Sequence, residues 1–447
     1  MNTPEPRPSR NFMTSRAVRV LTEAAGLLRA PQRIVPLVSK LASDELRTIF
    51  GNRHLYSYAA ATIPTAEALR SVVDWILNAQ RPDGGVAAYY SLFTGYSDSY
   101  PEVTGYIIPT LYDFSRLSGD PAAIHAAERA TRWLLSLQMP SGAFPGGLHR
   151  SNSGPDSGAQ PSVFNTGQIL QGLVRAHVET NVERHTQTRN AEILERSVAA
   201  GDWLAAIQQP DGSWSGDSAY QGAAHTYYSM VSWALAQLAA QSGAPRHAAA
   251  ADRNIDWVLA HVQPSGWIDG INLRGHPAYL HFIAYAIQGT LECGILRRRD
   301  DAIQAAAKPA WVLLRKFETH KRLLGTYERD FRGGQKFSCL TGNAQMSCVW
   351  LRLFEVTGDL RYLNAALKMN EMLKQLLPVQ GRGVVGGVAG SCPIWCAYQP
   401  MRFISWGCKF LADALMLEQR LTREFETKSE TKIETKFEAK SEASECA

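Results

Sequence analysis

Apolar residues recur along this chain in two alternating kinds of segment. One kind is apolar on a single face and carries a tryptophan near its end; the other is apolar nearly all round, as in Ile107-Ile-Pro-Thr-Leu-Tyr-Asp-Phe114. A helix with one apolar stripe covers a core, and a helix apolar on every side lies inside one. The first buried segment is expected to stop at Gly119, with Asp120-Pro121 restarting the next helix as cap and first-turn proline. Later buried helices are expected to open near Phe164, His225, Tyr279, Thr341 and Phe403, with Gly243, Gly294 and Gly358 ending the third, fourth and fifth.

The tryptophan segments share a phrase. Trp75, Trp133, Trp203 and Trp257 are each followed seven residues later by Pro82, Pro140, Pro210 or Pro264, and nine residues later by Gly84, Gly142, Gly212 or Gly266. A glutamine stands just before each proline, and Pro-Asp-Gly or Pro-Ser-Gly forms turns, so each phrase reads as a helix end entering a tight turn. Trp311 and Glu371 hold the same place in two degenerate copies, the second with Pro378 at plus seven. Six units of about 60 residues call for a repeat architecture. A hairpin cannot bury both of its faces alone, and neighbours on both sides do so if the array closes. The expected fold is therefore all-α, an (α/α)6 toroid of six helical hairpins with the apolar helices inside. An open solenoid would need polar end repeats, and the first and last inner helices are not polar.

The toroid is expected over residues 56–420. Residues 1–55 read as an N-terminal arm whose amphipathic helix (Val18, Leu21, Ala25, Leu28, with Arg16, Arg19 and Arg29) packs on the body or makes peripheral contact with an anionic membrane surface. Residues 421–447, a short-period Glu/Lys sequence, read as a disordered charged tail. Net charge is +5; the arm holds eight basic against four acidic residues up to position 50 and the tail five against seven, so no basic surface for nucleic acid remains. No signal-length or membrane-spanning apolar run is found and the seven cysteines show no metal spacing. A cytoplasmic protein without metal or cofactor is the expectation.

Inner helices of a toroid run in one direction, so their first turns converge at one mouth, where free N–H groups favour a negatively charged ligand. The residues opening those helices are Glu102, Thr104 and Tyr106; Asn165, Thr166 and Gln168; His225, Thr226, Tyr227 and Tyr228; Tyr279 and His281; Thr341, Asn343 and Gln345; and Trp395, Tyr398, Arg402, Trp406 and Lys409. Hydrogen-bonding and aromatic groups in this mixture grip hydroxyl-rich rings. Thr104, Thr166 and Asn165 also read as caps, His225 as a core histidine, and Asp83 and Asp211 as turn residues. Glu102 is the candidate acid or base with His225 and Tyr228 assisting, and Asp98 and Asp217 are loop carboxylates able to complete an acid/base pair.

The Trp-x4-Gln-x-Pro-Asp/Ser-Gly phrase, with Gln263 one place later in the fourth copy, resembles the repeats of squalene–hopene cyclases and protein prenyltransferase β subunits, which implies an α/α barrel over about residues 60–420. The Asp-x-Asp-Asp acid of those cyclases is missing. The chain's Asp300-Asp301 pair follows Arg297-Arg-Arg299, and no zinc set of the prenyltransferase kind is found. Four stretches resemble uncharacterised prenyltransferase-like proteins found among bacterial exopolysaccharide biosynthesis genes. They are Tyr100-Pro-Glu-Val-Thr-Gly-Tyr-Ile-Ile-Pro-Thr110, Phe164-Asn-Thr-Gly-Gln168, Cys339-Leu-Thr-Gly-Asn-Ala-Gln345, and Gly390-Ser-Cys-Pro-Ile-Trp395 with Lys409-Phe-Leu-Ala-Asp-Ala-Leu415. That resemblance implies an acidic residue where Asn165 stands.

The reading is a carbohydrate-active protein of polysaccharide biosynthesis that binds a saccharide, anionic or lipid-linked, and acts by hydrolysis, elimination or epimerisation if it is an enzyme. The alternatives are an isoprenoid-handling enzyme of cyclase or prenyltransferase type, expected to show a deep hydrophobic tunnel, and a non-catalytic scaffold, expected to show a plugged cavity.

Overall fold

A computed structural model describes residues 63–149, 160–182, 187–274, 276–381 and 383–424. The N-terminal arm expected over 1–55, and the tail beyond 424, lie outside the described residues. Among these residues twelve α-helices alternate in chain order: α1 (Thr65–Ala79), α2 (Pro101–Ser118), α3 (Pro121–Leu137), α4 (Val163–Val182), α5 (Gln187–Ala206), α6 (Ser229–Ser242), α7 (Pro245–Ala260), α8 (Leu280–Arg297), α9 (Asp300–His320), α10 (Leu340–Thr357), α11 (Leu360–Lys374) and α12 (405–424). The last helix continues four residues past the expected boundary at 420, because Leu421 is buried against the body.

Odd-numbered helices bury one stripe. In α1 it is Ala68, Leu69, Val72, Val73, Trp75, Ile76 and Ala79, the helical spacing of a surface helix. Even-numbered helices are buried nearly all round; in α8 every residue from Leu280 to Gly294 except Phe282 is buried. Each even helix packs on the next, α2 on α4, α4 on α6, α6 on α8 and α8 on α10. Cys348 Sγ to the Phe410 carbonyl (3.4 Å) joins α10 to α12, and Thr110 Oγ1 to Asp413 Oδ1 (2.7 Å) joins α12 back to α2. The inner ring is closed. The fold is an (α/α)6 toroid.

Local chemistry sets the helix ends. Gly119, Gly243 and Gly358 end α2, α6 and α10 in the left-handed conformation, and the Asp120 side chain accepts from Ala122 N to start α3. Gly294 does not end α8, as the sequence suggested. The helix runs on to Arg297 and Arg298 (φ 54°) takes the left-handed place. A Cβ at Gly294 would lie 3.0 Å from that of Ala302, so this glycine serves close packing with α9.

The repeated phrase is a clasp between neighbouring hairpins. Gln80 Nε2 donates to the carbonyl of Gly84 in its own turn and to that of Ala126 on α3, each at 2.9 Å. Gln138 repeats this with Gly142 and Arg196, and Gln208 with Gly212 and Ala250. The turn glycine then lies directly on the next outer helix. A Cβ would come 2.8 Å from the Arg129 carbonyl at Gly84, 2.4 Å from that of Ala199 at Gly142, and 2.3 Å from that of Arg253 at Gly212. All three glycines also have positive φ (101°, 90° and 91°), so both the turn and the contact require glycine. In the fourth copy Gln263 is displaced by one residue and donates instead to Asp269 Oδ2.

The sixth turn, degenerate in sequence, makes the same contact from a shifted glycine. Gly386 (φ 74°) stands over the Ser71 carbonyl of α1, where a Cβ would come within 2.1 Å. Ser71 lies four residues before Trp75, as Arg129, Ala199 and Arg253 lie four before Trp133, Trp203 and Trp257. Trp75 Nε1 donates to the Gly383 carbonyl (3.0 Å), and Thr65 Oγ1 donates to Glu418 Oε1 (2.8 Å) at the same seam. At the mouth, β1 (Tyr89–Ser91) pairs antiparallel with β2 (Gly95–Tyr96) on one side and with β7 (Arg402–Ile404) on the other. Short ladders β3 (Ala278–Tyr279) with β4 (Thr326–Tyr327), and β5 (Ser338–Cys339) with β6 (Ser391–Cys392), tie other loops there.

Gly142→Ala is expected to destabilise the protein by about 2–4 kcal/mol, combining the cost of positive φ with a clash against backbone. Gly147→Ala, also at positive φ but with open space around it, should cost only about 1–2 kcal/mol. Urea unfolding of the two variants against wild type measures the difference.

Candidate functional site

The inner helices all begin at the same end of the ring, and a cavity of about 510 Å³ opens there. Of the residues expected from sequence, Glu102, Tyr106, Asn165, His281, Tyr398 and Trp406 line it. They come from α2, α4, α8, α12 and the loop into α12. Around them stand Tyr100, Phe164, Tyr227, Tyr279, Phe282 and Tyr285, with Tyr220, Leu273 and His276 from loops and Ala397 to Arg402 from a sixth-unit loop.

Tyr227, Tyr279 and Arg402, also expected at the mouth, belong to this wall, and the other expected residues lie elsewhere. His225 and Tyr228 are buried behind the wall and hold the backbone of Tyr220: Tyr228 Oη accepts from Tyr220 N (2.8 Å), and His225 Nε2 donates to the Tyr220 carbonyl (3.0 Å). Gln345 stands behind His281. Lys409 turns into the barrel, its Nζ 2.6 Å from Asp413 Oδ2 and 4.3 Å from the Phe410 ring centre, so a neighbouring carboxylate already answers its charge. Gln168 and Asn343 are buried in the helix packing, Trp395 is half-buried outside the lining, and Asp98 and Asp217 are exposed in loops. Glu102 is the one carboxylate lining the cavity among the described residues. Thr104 and Thr166 accept from Val86 N and Phe144 N, tying each repeat turn to the following inner helix.

Glu102 sits in the first turn of α2, after Pro101, with its side chain on the cavity wall. Burial among phenols raises its pKa to about 7, opposed by the hydrogen bond Tyr100 Oη donates to its Oε2 at 2.6 Å. Near neutral pH such a carboxyl is about half protonated and can give or take a proton. Tyr100, Tyr106, Tyr285 and Tyr398 are driven well above the usual phenol range, chiefly by burial. They remain donors.

His281 is held neutral, its pKa pushed down to about 3 by burial. Gln345 donates through Nε2 to Gln288 Oε1 (2.8 Å), so its Oε1 is the acceptor for His281 Nδ1 (2.9 Å). That arrangement puts the imidazole proton on Nδ1 and leaves Nε2 as the acceptor. Arg402 supplies positive charge to the wall; its guanidinium lies 3.9 Å over the Tyr89 ring and donates to Gln399 Oε1 (3.2 Å). Among the described residues no group of three or more His, Cys, Asp or Glu could hold a metal ion, and no helix is long and apolar enough to cross a membrane.

Inward spacing could have located more of this wall. Tyr106 follows Glu102 by four and Tyr285 follows His281 by four, one helical turn deeper in each case. Tyr220 and His276 carry no such signal, since their loops have no period.

Glu102 makes the stability of the fold depend on pH. A carboxyl titrating near 7 in the fold and near 4.5 unfolded binds its proton more tightly when folded. Its favourable contribution is complete below pH 4.5 and is lost as pH rises through 7. Glu102→Gln should therefore gain stability over wild type on going from pH 4.5 to pH 8 by on the order of 1–2 kcal/mol, allowing for solvent at the cavity face. Denaturant unfolding of both proteins at the two pH values checks this.

The chain matches no protein-family model and no curated protein. Solved structures do match. An unsaturated glucuronyl hydrolase specific for heparin aligns with TM-score 0.63 and 14% identity, covering 80% of this chain and 98% of that one. Cellobiose 2-epimerase from Spirochaeta thermophila aligns with TM-score 0.62 and 15% identity, over 80% and 96%. A D-mannose isomerase aligns with TM-score 0.60 and 12% identity, over 79% and 97%. At these identities the likeness is one of fold.

Proposed function

We propose that the cavity binds a saccharide, anionic or carried on a lipid, and transfers protons on it through Glu102. The observation that carries this reading is a carboxyl with a pKa near 7, held by Tyr100, in an open cavity whose wall alternates aromatic faces with hydrogen-bonding groups. Aromatic faces stack on the C–H face of a sugar ring. Asn165, His281 and the tyrosines place hydrogen-bonding groups on the wall for its hydroxyl groups, and Arg402 places a positive charge there for a carboxylate or phosphate. The structural neighbours named for glucuronyl hydrolysis, cellobiose epimerisation and mannose isomerisation lend support by analogy of fold.

Hydrolysis by the usual pair of carboxylates would need a second acid across the cavity, and among the described residues Glu102 has no such partner on the wall. Elimination and epimerisation need one base and one acid. In both, Glu102 as carboxylate takes a proton from a carbon next to a carboxyl or carbonyl group. A phenol or the re-protonated Glu102 then supplies one, to the leaving oxygen in elimination or back to carbon in epimerisation. The motif resemblance supports polysaccharide biosynthesis as the setting, since its stretches from Tyr100, Phe164 and Cys339 lie at the openings of inner helices at this mouth. An isoprenoid ligand fits the wall less well, because its deepest aromatic groups are hydroxylated tyrosines.

A thermal-shift and native mass-spectrometry screen against oligouronides, polyprenyl-diphosphate-linked sugars and isoprenyl diphosphates tests the reading. Stabilisation by the saccharide panels is expected. With a binding uronide, epimerisation should bring solvent deuterium in at carbon and elimination should yield an unsaturated uronide, and Glu102→Gln should slow whichever occurs about 10²–10⁴-fold while still binding. Stabilisation by isoprenyl diphosphates alone, or an undiminished rate in Glu102→Gln, would overturn it.

A further inference from the structure

Tyr220 differs from every other residue of the cavity wall. It is 55% exposed, whereas all the other lining side chains are buried or half-buried. A lone exposed tyrosine on a protein surface calls for no explanation. This one is mounted with unusual care. Its N–H donates to Tyr228 Oη at 2.8 Å and its carbonyl accepts from His225 Nε2 at 3.0 Å, so two buried side chains fix the peptide units on either side of its Cα.

The next residue adds a third tie. Gln221 adopts the left-handed conformation (φ 55°, ψ 21°), and its side chain bridges to the backbone of Arg274, accepting from the N–H (2.6 Å) and donating to the carbonyl (3.4 Å). Arg274 adjoins Leu273, which lines the cavity from a separate loop. His225 is itself stacked on Tyr227 with ring centres 4.9 Å apart, and Tyr227 stacks on Phe282 at 5.4 Å, so the mount is continuous with the inner wall. The Tyr220 phenol also lies close enough to Tyr100 and Tyr227 to oppose their ionisation. The ring thus stands at the rim on the Glu102 side.

We propose that Tyr220 is an outer stacking platform for a second saccharide ring, so that the ligand is an oligosaccharide with one residue at Glu102 and the next on Tyr220. This rests on the saccharide reading of the cavity. Because the backbone on both sides of the ring is already fixed, only the two side-chain torsions of Tyr220 have to be ordered on binding, which lowers the cost of stacking a sugar on its face. His225 and Tyr228 are positioning residues for that face, acting through the Tyr220 backbone.

Isothermal titration with galacturonic acid and its α-1,4-linked dimer and trimer, and in parallel with glucose, cellobiose and cellotriose, tests the proposal. Wild type is expected to bind the dimer and trimer of at least one series about tenfold more tightly than the monomer. Tyr220→Ala should bring that ratio close to one. Tyr220→Phe, which keeps the face, should preserve it, and Tyr228→Phe, which removes the acceptor for Tyr220 N–H, should reduce it with little change in melting temperature. A length-dependent gain that survives Tyr220→Ala, or no gain in wild type, would overturn the platform and leave the cavity reading standing. Failure of wild type to bind either series would overturn both.

Discussion

The structure depends on one close approach, a turn glycine laid against a carbonyl of the next outer helix. At Gly84, Gly142, Gly212 and Gly386 no side chain fits, and the neighbouring helix therefore comes close enough for a glutamine at the first three turns to bond both partners at once. Each contact sets the spacing between two hairpins. Repeated round the ring, it determines how far apart the inner helices begin, and hence how wide the cavity is. The inner wall is placed by contacts on the outside of the ring.

This explains what could be read from the chain. Proline, glycine and glutamine at fixed offsets are local signals, so the four regular turns and the helix order were legible in sequence. The sixth clasp was not, because Gly386 stands eight residues after Pro378 and only the contact with Ser71 reveals it. Gly294 misled for a related reason: a glycine needed for helix packing has the same letter as one needed for a helix stop. Glu102, Tyr106 and His281 were accessible because they open helices whose direction follows from the alternation. His225 and Tyr228 flank Tyr227 at a 3-10 turn over Thr226–Tyr228 that precedes α6, and they bond the Tyr220 backbone while Tyr227 lines the cavity. Lys409 was expected as a ligand contact, but Asp413 one turn on draws it into the barrel.

The electrostatics of the cavity follow from the same geometry. Phenols from several helices surround Glu102, and each is raised by burial to where it stays protonated. A carboxylate there loses water and gains one strong donor, Tyr100, which is too little to restore an ordinary pKa. His281 is neutral for the complementary reason: burial disfavours its cation and no carboxylate bonds to its ring. The ring of helix N-termini, the neutral phenols and Arg402 together leave a site with many donors around one lining acid among the described residues.

The seam has a further consequence. The first and last units are joined by the Gly386 to Ser71 contact, by Thr65 to Glu418 and by the β1–β7 ladder, so the ring has no end unit. An open stack of hairpins can melt from its outermost repeat inwards, at a cost of one interface. Here every hairpin has two neighbours, and losing any one breaks two interfaces and opens the cavity. The order of units along the chain is thus separable from their order in space. The same ring could be threaded from a different starting hairpin, as a circular permutant, without moving a residue of the wall.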